Sequence, residues 1–362
     1  MWPHVLAAAI TLSAQQSPGP LEFRTDVRVI RLDVSVVDDE GNAVSGLGLE
    51  DFEVLEQGQP VEVTYFEAVS PQGVRGMAPG NVVTGALHPP PRRVVILVDT
   101  TLLTPAQLRR AQSSVANFVR GGNASDWVQI VDLGTGRGVS GWLDEDRERL
   151  AAAARGLRRT GSFWGGPLAD LMIQERADLG SEGFSESWTS GRSLSVFARS
   201  TGLLGGLEAL LVELSALEGR KALVLVSLGF PQIRHLDDRL ERVASLAREA
   251  AAAVYYVDVG ALDRLLPEPG GRLRPVFEML WERSGGAQDL AEATGGFTYR
   301  LNNNLVPALD QVADEMGTYY VLGYAPPRPS DGRFRRVKVQ VSQKGLNART
   351  KKGYIAGPRS AF

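Results

Sequence analysis

The spacing of apolar residues changes twice along the chain. From Ile30 to Val36 apolar side chains occupy every second position, with Arg31, Asp33 and Ser35 between them, as in a strand buried on one face. Val27 and Val29 hold the opposite parity, which predicts a bulge or twist near Val29-Ile30. Phe52–Glu56 and Val61–Phe66 read as two further strands, with Gln57-Gly58-Gln59-Pro60 as the turn between them. Their apolar face needs a partner layer. The other end of the chain supplies candidates: the aromatic run Tyr319–Tyr324, the alternating Phe334–Val341, and a last strand through Arg349–Ala356. Six strands divided between the two ends predict a β-sandwich into which the middle of the chain is inserted. Two separate β modules are the alternative.

Between these ends the period becomes that of α/β structure. Predicted strands at Val94–Val98, Trp127–Val131, Ala222–Ser227, Val254–Val259 and Phe297–Tyr299 alternate with helical patterns at 105–119, 146–157, 203–217, 238–252 and 304–316. Strands that are continuous apolar runs, each followed by a helix, predict a doubly wound, mainly parallel sheet. The chain is therefore divided into an export signal and disordered N-terminus (1–20), N-terminal β strands (21–70), a Pro/Gly linker (71–91), an α/β domain (92–316) and C-terminal β strands (317–357). The linker contains Pro89-Pro90-Pro91 and several glycines, and is expected to hold no regular element. Residues 160–200, rich in Gly, Ser and Trp, read as an irregular insertion.

Composition narrows the function. The 362 residues carry 39 Lys and Arg against 42 Asp and Glu, so neither nucleic acid nor an anionic membrane surface is an expected partner. No cysteine is present, which excludes disulfides, zinc–thiolate sites and cysteine nucleophiles. The three histidines are scattered and assemble no metal cluster or triad. Val5–Ala14 has the length of an export-signal core, with Ala14 suited to the cut, although no basic residue precedes it and Leu12 is large for position −3. An exported protein is the preferred reading; a disordered start is the other. No stretch reaches the ~18 apolar residues that a transmembrane helix needs.

The most informative segment is Val94-Val95-Ile96-Leu97-Val98-Asp99-Thr100-Thr101-Leu102-Leu103-Thr104. A buried strand ends in Asp99, and ligands of such sheets bind beyond the carboxyl ends of the strands. Together with Val34–Gly41, Asp51–Glu56, Lys221–Gly229, Val254–Asp258, Ala291–Gly296, Tyr319–Tyr324 and Asp331–Phe334, this order of motifs resembles the bacterial VWFA-related proteins common in acidobacterial genomes. The core resembles a von Willebrand factor A (vWA) domain, and the likeness spans about residues 22–357. It implies a metal-ion-dependent adhesion site formed by an Asp-x-Ser-x-Ser turn, a loop threonine and a Ser-Asp-Gly turn. Asp99 fits the first aspartate, Thr101 the first hydroxyl and Thr201 the loop threonine. Leu103 stands in place of the second hydroxyl, and Leu228 in place of the second carboxylate.

Magnesium demands near-octahedral oxygen ligation and gives up water reluctantly. With two oxygen ligands replaced by leucines, no tight metal is expected, and Mg2+ or Mn2+ would bind only weakly through Asp99, Thr101 and Thr201. Asp99 then becomes a structural acceptor for amides of the following helix. The resulting expectation is a non-enzymatic, exported adhesion or scaffold protein. Its protein partner would meet a surface at Asp99, Thr101, Leu103, Thr201, Leu228 and Phe230, left apolar by the lost metal. Two alternatives are kept: a metal-dependent vWA adhesin using Asp99, Thr101 and Thr201, and a haloacid-dehalogenase-like phosphatase with Asp99 as nucleophile. In the second, Thr101 occupies the general acid's place. Trp142, Trp164 and Trp188 suit either partner recognition or packing of the insertion on its own domain.

Overall fold

The computed structural model describes residues 29–78, 81–85, 92–101, 103–122, 126–133, 137–138, 146–159, 191–260, 284–300 and 302–357. The expected export signal, the start of the 160–200 insertion and its tryptophans, Leu102, and the triple proline lie outside the described residues.

The first strand, β1 (Ile30–Val37), follows its alternation in part: Leu32, Val34 and Val36 are fully buried and Arg31 is exposed, but Ser35 on the other face is buried as well. Val29 stands outside the strand and is exposed, in keeping with its opposite parity. The next elements are β2 (Phe52–Glu56), β3 (Gln59–Val61), β4 (Tyr65–Ser70), β5 (Gly73–Ala78) and β6 (Asn81–Gly85). Two boundaries differ from expectation here, besides the expected strand Val61–Phe66, which is interrupted at residues 62–64 so that Val61 ends β3 and Tyr65 opens β4. The turn is only Gln57-Gly58, both residues at positive φ (52° and 78°), so Glu56 pairs with Gln59 and Pro60 lies in edge strand β3. Edge position is where a strand tolerates proline. Secondly, residues 73–78 and 81–85 are not a linker. They form a hairpin that extends β4, with Val69 opposite Val74 and Met77 opposite Val82.

The α/β part comprises β7 (Arg93–Val98), α1 (Pro105–Gly121), β8 (Trp127–Asp132), β9 (Arg137–Gly138), α2 (Arg147–Arg155), α3 (Gly191–Ser215), β10 (Lys221–Ser227), α4 (Asp237–Glu249), β11 (Ala252–Asp258), α5 (Gly285–Thr294), β12 (Thr298–Tyr299) and α6 (Val306–Gly317). Its sheet runs β12-β11-β10-β7-β8-β9, parallel except for β9. From β7 the chain moves one way to β8 and the other way to β10, β11 and β12, so the topological switch point lies between β7 and β10. Helices α1, α2 and α6 cover one face, and α3, α4 and α5 the other. This doubly wound sheet is consistent with a vWA-like fold. The last ten residues of the expected irregular insertion open α3, and α5 was not foreseen.

The chain then returns with β13 (Tyr319–Tyr324), β14 (Phe334–Val341), β15 (Asn347–Arg349) and β16 (Gly353–Ile355). The expected last strand, 349–356, is in fact two short strands in different sheets. β13 lies between β1 and β4 in a sheet ordered β15-β1-β13-β4-β5-β6, while β14 joins β16-β14-β2-β3. Both ends of the chain thus build the same two sheets. Their shared core includes Leu32, Val34, Val54, Tyr320, Leu322 and Val339.

Polar contacts fasten this sandwich to the α/β domain. The buried Arg220 guanidinium donates to Ser35 Oγ at 2.6 Å, to the Glu315 carbonyl at 3.2 Å and to Tyr255 Oη at 3.3 Å. Arg349 donates to Glu315 Oε1 at 2.5 Å. Gly295 is packed so closely that a Cβ would lie 2.7 Å from the Thr350 backbone, and its φ of +88° suits glycine alone.

Candidate functional site at the switch point

Three strands of the parallel sheet end in, or run directly into, an aspartate: β7 into Asp99, β8 in Asp132 and β11 in Asp258. All three carboxylates are buried and each has a partner. Thr100 Oγ1 donates to Asp132 Oδ1 at 2.6 Å, the Gly260 amide donates to Asp258 Oδ1 at 2.9 Å, and Arg300 lies 3.7 Å from Asp258 Oδ2. Among the described residues no group of three or more His, Cys, Asp or Glu is arranged to hold a metal.

Asp99 is the centre of a hydrogen-bond network, and its carboxylate is engaged on both oxygens. Oδ1 accepts from Thr101 Oγ1 at 2.6 Å and from the Thr101 amide at 3.3 Å. Oδ2 accepts from Ser227 Oγ at 2.9 Å and from the guanidinium of Arg199. The pair is sequestered: the Arg199 and Asp99 side chains are 9% and 4% exposed. Arg199 also donates to Ser227 Oγ at 3.3 Å and to the Gly229 carbonyl at 2.9 Å, while the Gly229 amide returns to Ser227 Oγ at 3.0 Å. Gly229 has φ +77°, and a Cβ there would lie 2.4 Å from Tyr256 Oη, so this turn requires glycine. Burial alone would raise the Asp99 carboxyl, but Arg199, with Thr101 and Ser227, holds it below the usual carboxylate range.

The cation at the switch point is therefore a side chain of α3. A divalent ion on Asp99 would meet a guanidinium already bound to Oδ2, and Leu103 and Leu228 add no oxygen. The donor set does not fit a tight metal. Thr201 does not complete one either: it lies within α3 rather than on a loop, and its buried Oγ1 makes no hydrogen bond.

The expected apolar surface is corrected by burial. Leu103 is 1% exposed in the core beneath α1, and Phe230 is 2% exposed against Gly286 of α5. Leu228 is partly buried against the same core as Leu103. At the α1 end, Thr104 accepts from the Gln107 amide at 3.2 Å and Gln107 Oε1 accepts from the Thr104 amide at 2.9 Å, a reciprocal cap. The rim is instead polar, with Thr104, Gln232, Arg234, His235 and Asn302 exposed. Of the expected site residues, the structure brings Asp99 and Thr101 together and adds Arg199, Ser227 and Gly229.

No family model and no curated relative matches the chain. Among solved structures it is similar to the crystal structure of manganese-loaded Plasmodium vivax TRAP protein, at 9% identity and a TM-score of 0.32, over 80% of this chain and 98% of that chain. At that score nothing about the site follows from the likeness. No helix among the described residues is long and apolar enough to cross a membrane.

Proposed function

We propose that this chain is a non-enzymatic, exported binding protein of adhesion type, which engages a protein partner through the carboxyl edge of its vWA-like domain without a tightly held metal. The observation that carries this reading is the Arg199 guanidinium on Asp99, at the place where an adhesion-site cation would bridge to a partner. A buried cation supplied by the chain holds the turns after β7 and β10 together, as a metal otherwise would. Recognition then falls to the polar rim around Gln232, Arg234 and His235 rather than to a metal-bound carboxylate.

The phosphatase reading is disfavoured by the same contacts. A nucleophilic carboxylate must reach a phosphorus atom, yet Asp99 is 3% exposed and its oxygens are occupied. The metal-dependent adhesin has one point in its favour, the unbonded Thr201 hydroxyl, but its expected carboxylate, Asp99, is buried.

Capture experiments test the proposal. Immobilised full-length chain should retain the same envelope protein in EDTA and in 1–5 mM MnCl2, and Arg234→Glu should reduce capture without changing the melting temperature. Capture that disappears in EDTA would establish the metal-dependent reading instead.

A further inference from the structure

At the amino edge of the parallel sheet, opposite Asp99, the sandwich and the α/β domain meet around a cavity of about 810 Å³. This is within the usual range for small-molecule sites. Four cations line it, Arg31, Arg220, Arg248 and Lys351, against two acids, Asp33 and Glu249.

The charges are unevenly satisfied. Arg31 pairs with Asp33 at 3.2 Å, and Arg248 with Glu241 at 2.5 Å. Arg220 is committed to Ser35, Tyr255 and the Glu315 carbonyl. Ser245 Oγ donates to Glu249 at 3.2 Å. Lys351 alone among the four cations makes no hydrogen bond or ion pair to the described residues, although it is partly buried. Burial pushes its ammonium below the ordinary range; Asp33 opposes this, and Arg248 and Arg31 reinforce it. An ammonium partly withdrawn from water, whose one nearby acid Asp33 is already paired with Arg31, is costly, and an anion beside it would offset that cost.

Part of the remaining wall is apolar, beside the polar Ser245, Thr294 and Ser330. Ile30, Ala252, Ala253 and the ring of Tyr354 line the interior. At the mouth stand Val29 and Ile355, 52% and 43% exposed, and Ile355 pairs across the sheet with Phe334, 42% exposed. These are three of the four large apolar side chains exposed among the described residues. Exposed apolar groups gathered at a cavity mouth mark a ligand or contact site more often than chance.

We propose that this interdomain cavity binds a small organic anion, a carboxylate on an apolar body, with the carboxylate at Lys351 and the body along Ala252 and Ala253 towards Val29 and Ile355. An inorganic anion would leave the apolar wall wet, and an uncharged apolar molecule would leave Lys351 unpaired. Because β1 and the 351–355 segment form one side and α4 with β11 the other, the ligand would touch both units.

The test uses the full chain and decanoate, followed by calorimetry and by displacement of anilinonaphthalene sulfonate fluorescence. Decanoate should bind saturably, decan-1-ol and inorganic phosphate at least tenfold more weakly, and Lys351→Met should lose at least tenfold in decanoate affinity while Lys351→Arg loses less than threefold. Should Lys351→Met fail to fold, Ile355→Glu serves in its place: this exposed position sets a charge against the apolar body of decanoate at the mouth and should also weaken decanoate at least tenfold. Equal binding of decan-1-ol, or decanoate affinity unchanged in the folded variants, would overturn the proposal.

Discussion

Arg199→Met is expected to destabilise the protein by ~3–5 kcal/mol, because it leaves the Asp99 carboxylate buried without its charge partner. The loss is not the net worth of the ion pair. Replacing both members, Arg199→Met with Asp99→Leu, removes the stranded charge, and the double variant should be more stable than Arg199→Met alone. The effect carries a pH signature. The folded state holds the Asp99 carboxyl below its ordinary range, so the pair's contribution is present above the unfolded value of about 4 and is lost as pH falls through the depressed folded value. Urea midpoints of wild type and Arg199→Met should therefore converge on acidification. A single variant within 1 kcal/mol of wild type at pH 7 would mean that Arg199 does not neutralise Asp99.

Deletion of residues 317–362 should abolish cooperative folding of the sandwich. β13 is hydrogen-bonded on both sides, Leu322 opposite Leu32 of β1 and Phe66 of β4. Its Tyr320, Val321, Leu322 and Tyr324 are 1%, 0%, 0% and 0% exposed. At ~1.5–3 kcal/mol for each fully buried large side chain, these four alone contribute ~6–12 kcal/mol, as much as the whole stability of an ordinary domain. The truncated chain would also present the apolar face of Leu32, Val34 and Val36 beside unpaired edges, and should aggregate. A soluble truncation product with a single sharp unfolding transition would contradict the shared sandwich.

These two predictions come from opposite ends of what could be read in the chain. The sandwich was legible because Ile30–Val36 and Val337–Val341 alternate strictly, and one apolar face demands another. The parallel sheet was legible because its strands are apolar runs flanked by amphipathic helices. The hairpin of β5 and β6 was hidden by its glycines, although Val74, Val82 and Val83 carry strand character. Asp99 could be placed from the strand it follows, but Arg199 could not, since the contact joins residues 100 apart and begins in a helix masked by a Gly/Ser/Trp-rich approach. One signal was available. Arg199, Leu203, Leu207 and Leu211 are spaced four apart, so an arginine lies on the buried face of α3 and must find a carboxylate. Leu103 and Phe230 misled because a leucine in a ligand's place was read as an exposed surface, whereas a short loop can turn such a side chain into the core beneath it.

Under the proposed function, Arg199 on Asp99 takes the place that a metal would hold in a vWA-like adhesion site. The most direct measurement is the melting temperature of the wild-type chain in EDTA and across a MnCl2 titration to 5 mM. A native-state ligand at a hundred times its dissociation constant adds ~2.7 kcal/mol, enough to raise the melting temperature measurably. With Arg199 on Asp99, the melting temperature should stay constant within 1 °C. A saturable rise of several degrees that EDTA reverses would contradict it.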